Sequence, residues 1–276
     1  MFHERINLLT GEKADPITDW QIARERRPIL ESYVLEGKTP RGAVVVCPGG
    51  GYMATSPREG EPVAVQFLAA GYHAFVLHYR VHPDTHPAPL ADLSKTLGYI
   101  RAHAGEWSVD PDRIAVCGFS AGGHLAASLG AHWNEDYLCE AASIDKGANR
   151  PDAMILCYAA TSPETLRRDE IFEKILGSNN RELLDYMACD RYVGAHTPPA
   201  FIWHTYSDEL VPVENATVFA EAMRRAGRPF ELHVYPDGQH GLSLATKETS
   251  EGMLGSAHVA TWMPLAVQWL DGLWGE

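Results

Sequence analysis

The chain has 276 residues, 45% of them hydrophobic and 21% charged, a balance that suits a globular protein with a sizeable core. Its 36 acidic residues outweigh 23 basic ones for a formal charge of −13, which argues against nucleic acid and anionic membrane surfaces as partners. No apolar run approaches the roughly 18 residues that would suggest a membrane span.

Residues 1–5 lack the basic segment that would open a signal peptide. The five cysteines include no Cys-x-x-Cys pair, and Cys47, Cys117 and Cys157 fall inside apolar runs, where a thiol packs as a small hydrophobe. A reducing, cytoplasmic setting with neither disulfide framework nor bound metal is the expectation.

Residues 1–42 read as lead-in and edge strands, with a strand over 32–35 and a turn over 37–40. Residues 43–47 are a continuous apolar run, of the kind buried on both faces of a parallel sheet. The run stops at Pro48-Gly49-Gly50-Gly51-Tyr52, ahead of a helix over 58–70 closed by Gly71. Three successive glycines allow main chain to come close to another group and to turn several N–H donors toward it. A strand over 73–80 leads into His82-Pro83-Asp84-Thr85-His86-Pro87. Two histidines four apart raise a metal site, but the prolines forbid the helix that would align them, so a plain loop is preferred. Residues 89–103 form a helix with Leu90, Leu93, Leu97 and Ile100 on one face. Asp110-Pro111-Asp112-Arg113 is then a turn feeding the next strand.

That strand ends in Gly118-Phe119-Ser120-Ala121-Gly122-Gly123-His124 and continues into Leu125-Ala126-Ala127-Ser128-Leu129. The pattern is strand, tight turn and helix, with a serine on the turn and a glycine two residues to either side. A hydroxyl placed there stands at a helix N-terminus, where free N–H groups and the helix dipole favour developing negative charge. The plain alternative makes Ser120 an ordinary helix cap.

Residues 133–150 read as irregular and 153–158 as another buried strand. A charged helical excursion over 161–192 is too long for a simple connection and reads as a small cap over the sheet. Strands over 199–204 and 230–235, a helix over 214–226 closed by Gly227, and a helix near 257–270 complete the chain. This alternation predicts a single α/β domain over 1–276: a doubly wound, mainly parallel sheet with helices on both faces, its ligands at the carboxyl ends of the strands.

A serine hydroxyl attacks only when a base takes its proton and an acid holds that base. His240 follows the strand over 230–235 in Pro236-Asp237-Gly238-Gln239-His240-Gly241, and Asp208 follows the strand over 199–204. The chain order Ser120, Asp208, His240 is that of α/β-hydrolases. Glu209 and Asp237 stay open as alternative acids. His124, four residues past Ser120, reads as a packed helix residue, and His204 as a strand-end residue shaping the pocket. Trp107, Trp133 and Trp203 read as core or cap packing.

Together, Pro48-Gly49-Gly50-Gly51-Tyr52, Gly118-Phe119-Ser120-Ala121-Gly122-Gly123-His124, His204-Thr205-x-x-Asp208-Glu209-x-Val211-Pro212 and Gly238-Gln239-His240-Gly241 resemble the esterase/lipase family of α/β-hydrolases. Within it, the chain is most similar to bacterial acetylesterases, acetylxylan and other carbohydrate esterases among them, with feruloyl esterases nearby. The resemblance implies Ser120 as nucleophile, His240 as base and Asp208 as its orienter. It also implies an oxyanion hole from the amides of Gly50 or Gly51 together with Ala121. Pro48 stands where hormone-sensitive-lipase relatives carry histidine, a departure that moves the chain away from the lipase branch and leaves open which glycine donates. The expected activity is deacetylation of small esters or acetylated oligosaccharides, without cofactor. Rival readings are a feruloyl esterase, a prolyl-oligopeptidase-like peptidase, an arylformamidase, a thioesterase, or a hydrolase-like binding module.

Overall fold

The computed structural model describes residues 1–14, 27–166, 172, 175, 181–250 and 255–275. Its strands are β1 (Phe2–Asn7), β2 (Ile29–Val34), β3 (Arg41–Cys47), β4 (His73–His78), β5 (Val109–Phe119), β6 (Ala153–Cys157), β7 (Ala200–Thr205) and β8 (Phe230–Tyr235). They form one eight-stranded sheet in the order β1-β2-β4-β3-β5-β6-β7-β8. β1 and β2 run antiparallel to their neighbours, whereas every pairing from β4 to β8 is parallel. Parallel neighbours need crossovers, and the helices that supply them cover both faces.

The helices are α1 (Glu61–Ala69), α2 (Ala88–Ala102), α3 (Ala104–Trp107), α4 (Ala121–His132), α5 (Asp136–Ala142), α6 (Arg181–Tyr186), α7 (Glu214–Arg225) and α8 (Trp262–Trp274). The period-2 alternation of a strand divides the core into two layers. Ala43, Val45 and Cys47 of β3 join one layer with Leu90, Leu93, Leu97 and Ile100 of α2, Leu125 and Leu129 of α4, and Phe219 of α7. Val44 and Val46 join the other with Val63 and Phe67 of α1 and Trp262, Ala266 and Leu270 of α8. Trp107 and Trp203 are buried and Trp133 packs against the first layer, in line with a packing role. All five cysteines are buried and free. Among the described residues, no helix is long and apolar enough to cross a membrane.

Four expectations need correction. Asp110 to Arg113 is not a turn ahead of the strand but lies within β5: Val109 already pairs with Arg41 and Ile114 with Ala43, so the intervening residues bulge out of register. Pro111, with no N–H for the ladder, fits such a bulge. Residues 133–150 are not irregular throughout, because α5 buries Leu138, Cys139 and Ala142; seven residues are too few to display a helical period. The helix expected over 58–70 is split at Gly60 into a 3-10 turn, Pro57–Glu59, and α1. The strand expected over 32–35 is shifted toward the N-terminus as β2. Of the expected cap, the turn Pro163–Thr165, α6 and the turn Cys189–Arg191 are described, and Phe172 and Ile175 are buried; most of 167–180 lies outside the described residues.

Register sets the working edge of the sheet. Cys47 pairs with Gly118, Phe119 with Cys157, Cys157 with Trp203 and Thr205 with Tyr235, so these strands end nearly level. The glycine loop, Ser120, Tyr158, Asp208 and His240 all follow those ends. The tightest packing lies beneath them. A Cβ on Gly122 would sit 2.1 Å from Cys47 O, and one on Gly118 would sit 2.2 Å from Gly122 O. Main chain cannot yield as a side chain does, so Gly122→Ala should cost about 3 kcal/mol or more. Gly105→Ala, where a Cβ meets nothing within 4 Å, serves as the control and should be near neutral. Chemical denaturation of both variants checks this; equal midpoints would contradict it.

Candidate active site

Ser120 joins β5 to α4 with φ 51° and ψ −116°, a strained conformation for a residue with a Cβ. Its N–H donates to Cys157 O at 3.0 Å, and its carbonyl accepts the His124 N–H at 2.9 Å. The hydroxyl does not cap the helix. It lies 2.8 Å from His240 Nε2 instead. His240 Nδ1 is 2.7 Å from Asp208 Oδ2. Only a protonated Nδ1 can donate to a carboxylate, so in the neutral ring Nε2 is the acceptor and Ser120 Oγ–H the donor. The three side chains named from the sequence thus form one hydrogen-bonded chain across 120 positions.

Asp208 is the carboxylate that reaches His240; Glu209 and Asp237, the alternatives, are exposed. The Asp208 side chain has no exposure. Its Oδ1 accepts the N–H groups of Leu210 and Val211, each at 2.9 Å. His204 is fully buried and donates from Nε2 to Val211 O at 2.8 Å, with Asp208 Oδ2 3.4 Å away. It therefore braces the acid loop from beneath rather than shaping an open pocket, a correction to the sequence reading. The His240 loop is tied to the acid loop in turn. Gly238 O accepts the hydroxyls of Thr205 and Ser207, and Gly238 N–H donates to Ser207 Oγ at 2.8 Å. Gly238 and Gly241 have φ of 152° and 83°, conformations that a Cβ would oppose.

The glycine loop reaches Ser120 from β3. Gly50, Gly51 and Tyr52 all take positive φ, and a Cβ on Gly50 would lie 2.2 Å from Ala54 O. Gly49 is committed elsewhere, its N–H donating to Glu59 Oε2 at 2.8 Å. The amides of Gly50, Gly51 and Ala121 donate to no group among the described residues. Two tyrosines fix the loop: Tyr79 donates to Pro48 O and Tyr52 to His124 Nδ1, each at 2.7 Å. His124 donates its single N–H, on Nε2, to Met187 O at 3.0 Å. Burial pushes its pKa down to about 4, so it packs as a neutral ring. Elsewhere His82 N–H donates to Tyr52 O, and His86 lies against Tyr137 and Tyr186.

Glu59, Tyr158 and Arg58 escaped the sequence reading. Tyr158 follows β6 and stands edge-on to the His240 ring, with centroids 5.1 Å apart. A polar residue one position past a buried strand was the available signal.

A model of the BD-FAE family matches residues 33–223. The crystal structure of an acetyl ester-xyloside bifunctional hydrolase from Caldicellulosiruptor lactoaceticus is 36% identical, with a TM-score of 0.83 over 98% of this chain and 96% of that one. The chain belongs to this family of α/β-hydrolase esterases. Among its relatives, an endo-1,4-β-xylanase B of Butyrivibrio fibrisolvens is 36% identical over 84% of this chain and 37% of that protein. An acetylxylan esterase of Xylanibacter ruminicola is 30% identical over 76% of this chain and 43% of that protein. The chain thus matches less than half the length of these two curated relatives.

The buried acid of this α/β-hydrolase makes stability depend on pH. Burial alone would raise the pKa of Asp208, but the hydrogen bonds from His204 and His240, the His240 charge and the Val211 N–H hold it well below the ordinary 3.8. A depressed folded value means that the stabilisation is complete above the ordinary carboxylate range and drains away as pH falls. Below pH 3.8, the wild type should therefore lose stability more steeply than Asp208→Asn, by up to about 1.4 kcal/mol per pH unit. Urea unfolding between pH 6 and pH 3 measures the two slopes; parallel slopes would contradict the assignment.

Proposed function

We propose that this protein is a serine carboxylesterase that cleaves its substrate through an acyl-enzyme. His240 Nε2 takes the Ser120 proton as Oγ attacks the ester carbonyl, and Asp208 holds the ring and stabilises the imidazolium that forms. The oxyanion is received by the amide of Gly50 or Gly51 together with that of Ala121, each donor worth on the order of 3 kcal/mol of barrier. The imidazolium then protonates the leaving alcohol, and water attacks the acyl-enzyme by the same route. No step calls for a metal or an organic cofactor.

The observation that carries this reading is the unbroken relay from a fully buried carboxylate through His240 to Ser120, with contacts of 2.7 and 2.8 Å. A binding module has no use for a strained serine whose hydroxyl is left uncapped and bonded to an imidazole. For the substrate we favour acetyl esters of xylan-type oligosaccharides, on the strength of the acetylxylan esterase and the acetyl ester-xyloside hydrolase among the relatives.

Wild type should hydrolyse p-nitrophenyl acetate, while Ser120→Ala and His240→Ala should lose at least about 10³-fold in kcat. A serine-directed phosphonate should label Ser120 alone, as located by mass spectrometry. Acetate release from acetylated xylo-oligosaccharides should exceed ferulate release from feruloylated ones. Label on another residue of folded protein would end the mechanistic assignment, and preferential ferulate release would replace the substrate assignment.

A further inference from the structure

Glu59 is a carboxylate that ester cleavage as described leaves unused, yet it sits where the two loops needed for that chemistry meet. It ends the turn Pro57–Glu59 and is 3% exposed. Its two oxygens face opposite ways. Oε2 accepts the Gly49 N–H at 2.8 Å, and Oε1 accepts the Tyr158 hydroxyl proton at 2.6 Å. The Tyr158 oxygen in turn accepts the Ser243 N–H at 2.8 Å, while its ring stands against His240. One carboxylate thereby connects the glycine loop to the segment that carries the base.

The adjoining residues close the same junction through main chain. Arg58 Nη1 donates to Gly241 O at 2.9 Å and Thr249 O at 2.7 Å, and Ser243 Oγ donates to Arg58 O at 2.6 Å. There is little slack at the glycine end, where a Cβ on Gly49 would lie 2.8 Å from Glu59 Oε2 and 3.1 Å from Ser120 Cβ. A displaced Glu59 would carry Gly49, and the free amides that follow it, across the face of Ser120. Holding a carboxyl here has a cost: burial raises the Glu59 pKa against the hydrogen bonds from Tyr158 and Gly49. A plain structural turn could be filled by an apolar side chain without that cost.

Resting on the roles given above to Ser120, His240 and Asp208, we propose that Glu59 is a positioning residue that aims the Gly50 and Gly51 amides through Gly49 and seats His240 through Tyr158. Its removal should act on the transition state and leave ground-state binding nearly intact. Displacements on the order of 1 Å at a reacting centre cost about 100-fold in rate.

Wild type and Ser120→Ala are compared first on p-nitrophenyl acetate. Activity in the former and its loss in the latter uphold the esterase reading independently of Glu59, whereas an inactive wild type would sink both. Glu59→Ala should then lower kcat by about 100-fold with KM within about threefold. Affinity for a boronate mimic of the tetrahedral intermediate should fall in parallel. Glu59→Gln keeps an acceptor for one of the two donors and should recover about tenfold of that loss. Tyr158→Phe, which cuts only the link toward His240, should lower kcat by about tenfold. Folded variants with kcat within about threefold of wild type, or with the loss in KM instead, would overturn the proposal. If Glu59→Ala does not fold, Glu59→Gln and Tyr158→Phe decide by the same criteria.

Discussion

The site depends on one place where main chain touches main chain. The ends of β3 and β5 and the first turn of α4 meet so closely that Gly118 and Gly122 have no room for a Cβ, the obstacles being Gly122 O and Cys47 O. That contact fixes the angle at which the chain leaves β5, and Ser120 takes up the bend. Strain of this kind costs on the order of 1–3 kcal/mol and persists only where the surroundings over-determine the conformation. Here they do so through hydrogen bonds at both ends of the residue, its N–H to Cys157 O and its carbonyl to His124 and Ala160. The hydroxyl is thereby turned away from the helix and toward His240.

Around that bend the polar groups are arranged so that each buried carboxylate has partners on more than one loop. Asp208 gathers two main-chain N–H groups and His240, with His204 behind it. Glu59 gathers Gly49 and Tyr158. An isolated carboxylate at either position would not stay ionised, and a half-satisfied one would weaken the fold. The same bonds that offset burial also hold the loops at fixed separations. Rigidity at the sheet edge therefore comes from side chains that reach across loops, since loops alone carry little packing of their own.

Much of this was legible in the sequence because α/β alternation constrains where loops emerge. Once residues 43–47, 114–119, 153–158, 199–204 and 230–235 are read as parallel strands, the residues following them must share an edge, and Ser120, Asp208 and His240 come together without further information. The stripe from Leu90 to Ile100 was readable for a similar reason, since periodicity states its own geometry. What escaped lacks any period. Glu59 is one polar residue in a short turn, and its partners lie 10 and 99 positions away, so neither propensity nor spacing marks it. His204 is ambiguous for another reason: a histidine at a strand end looks the same in sequence whether it faces a cavity or a buried aspartate. The bulge at Asp110 to Arg113 was hidden by Pro111, which signals interruption without saying whether the strand resumes on its far side. α5 escapes for a different reason, its seven residues being too few to show a helical period.

The Arg58 guanidinium grips the His240 segment by the carbonyl oxygens of Gly241 and Thr249. Carbonyls are common to all twenty amino acids, so these two bonds hold the path of the chain, whereas Leu242, Leu244 and Ala245 between them are fixed by the core and Ser243 by its hydroxyl bond to Arg58 O. Change in that stretch is therefore accommodated at Thr246, Lys247 and Glu248, which lie outside the buried set, while the guanidinium and the path of the chain stay put.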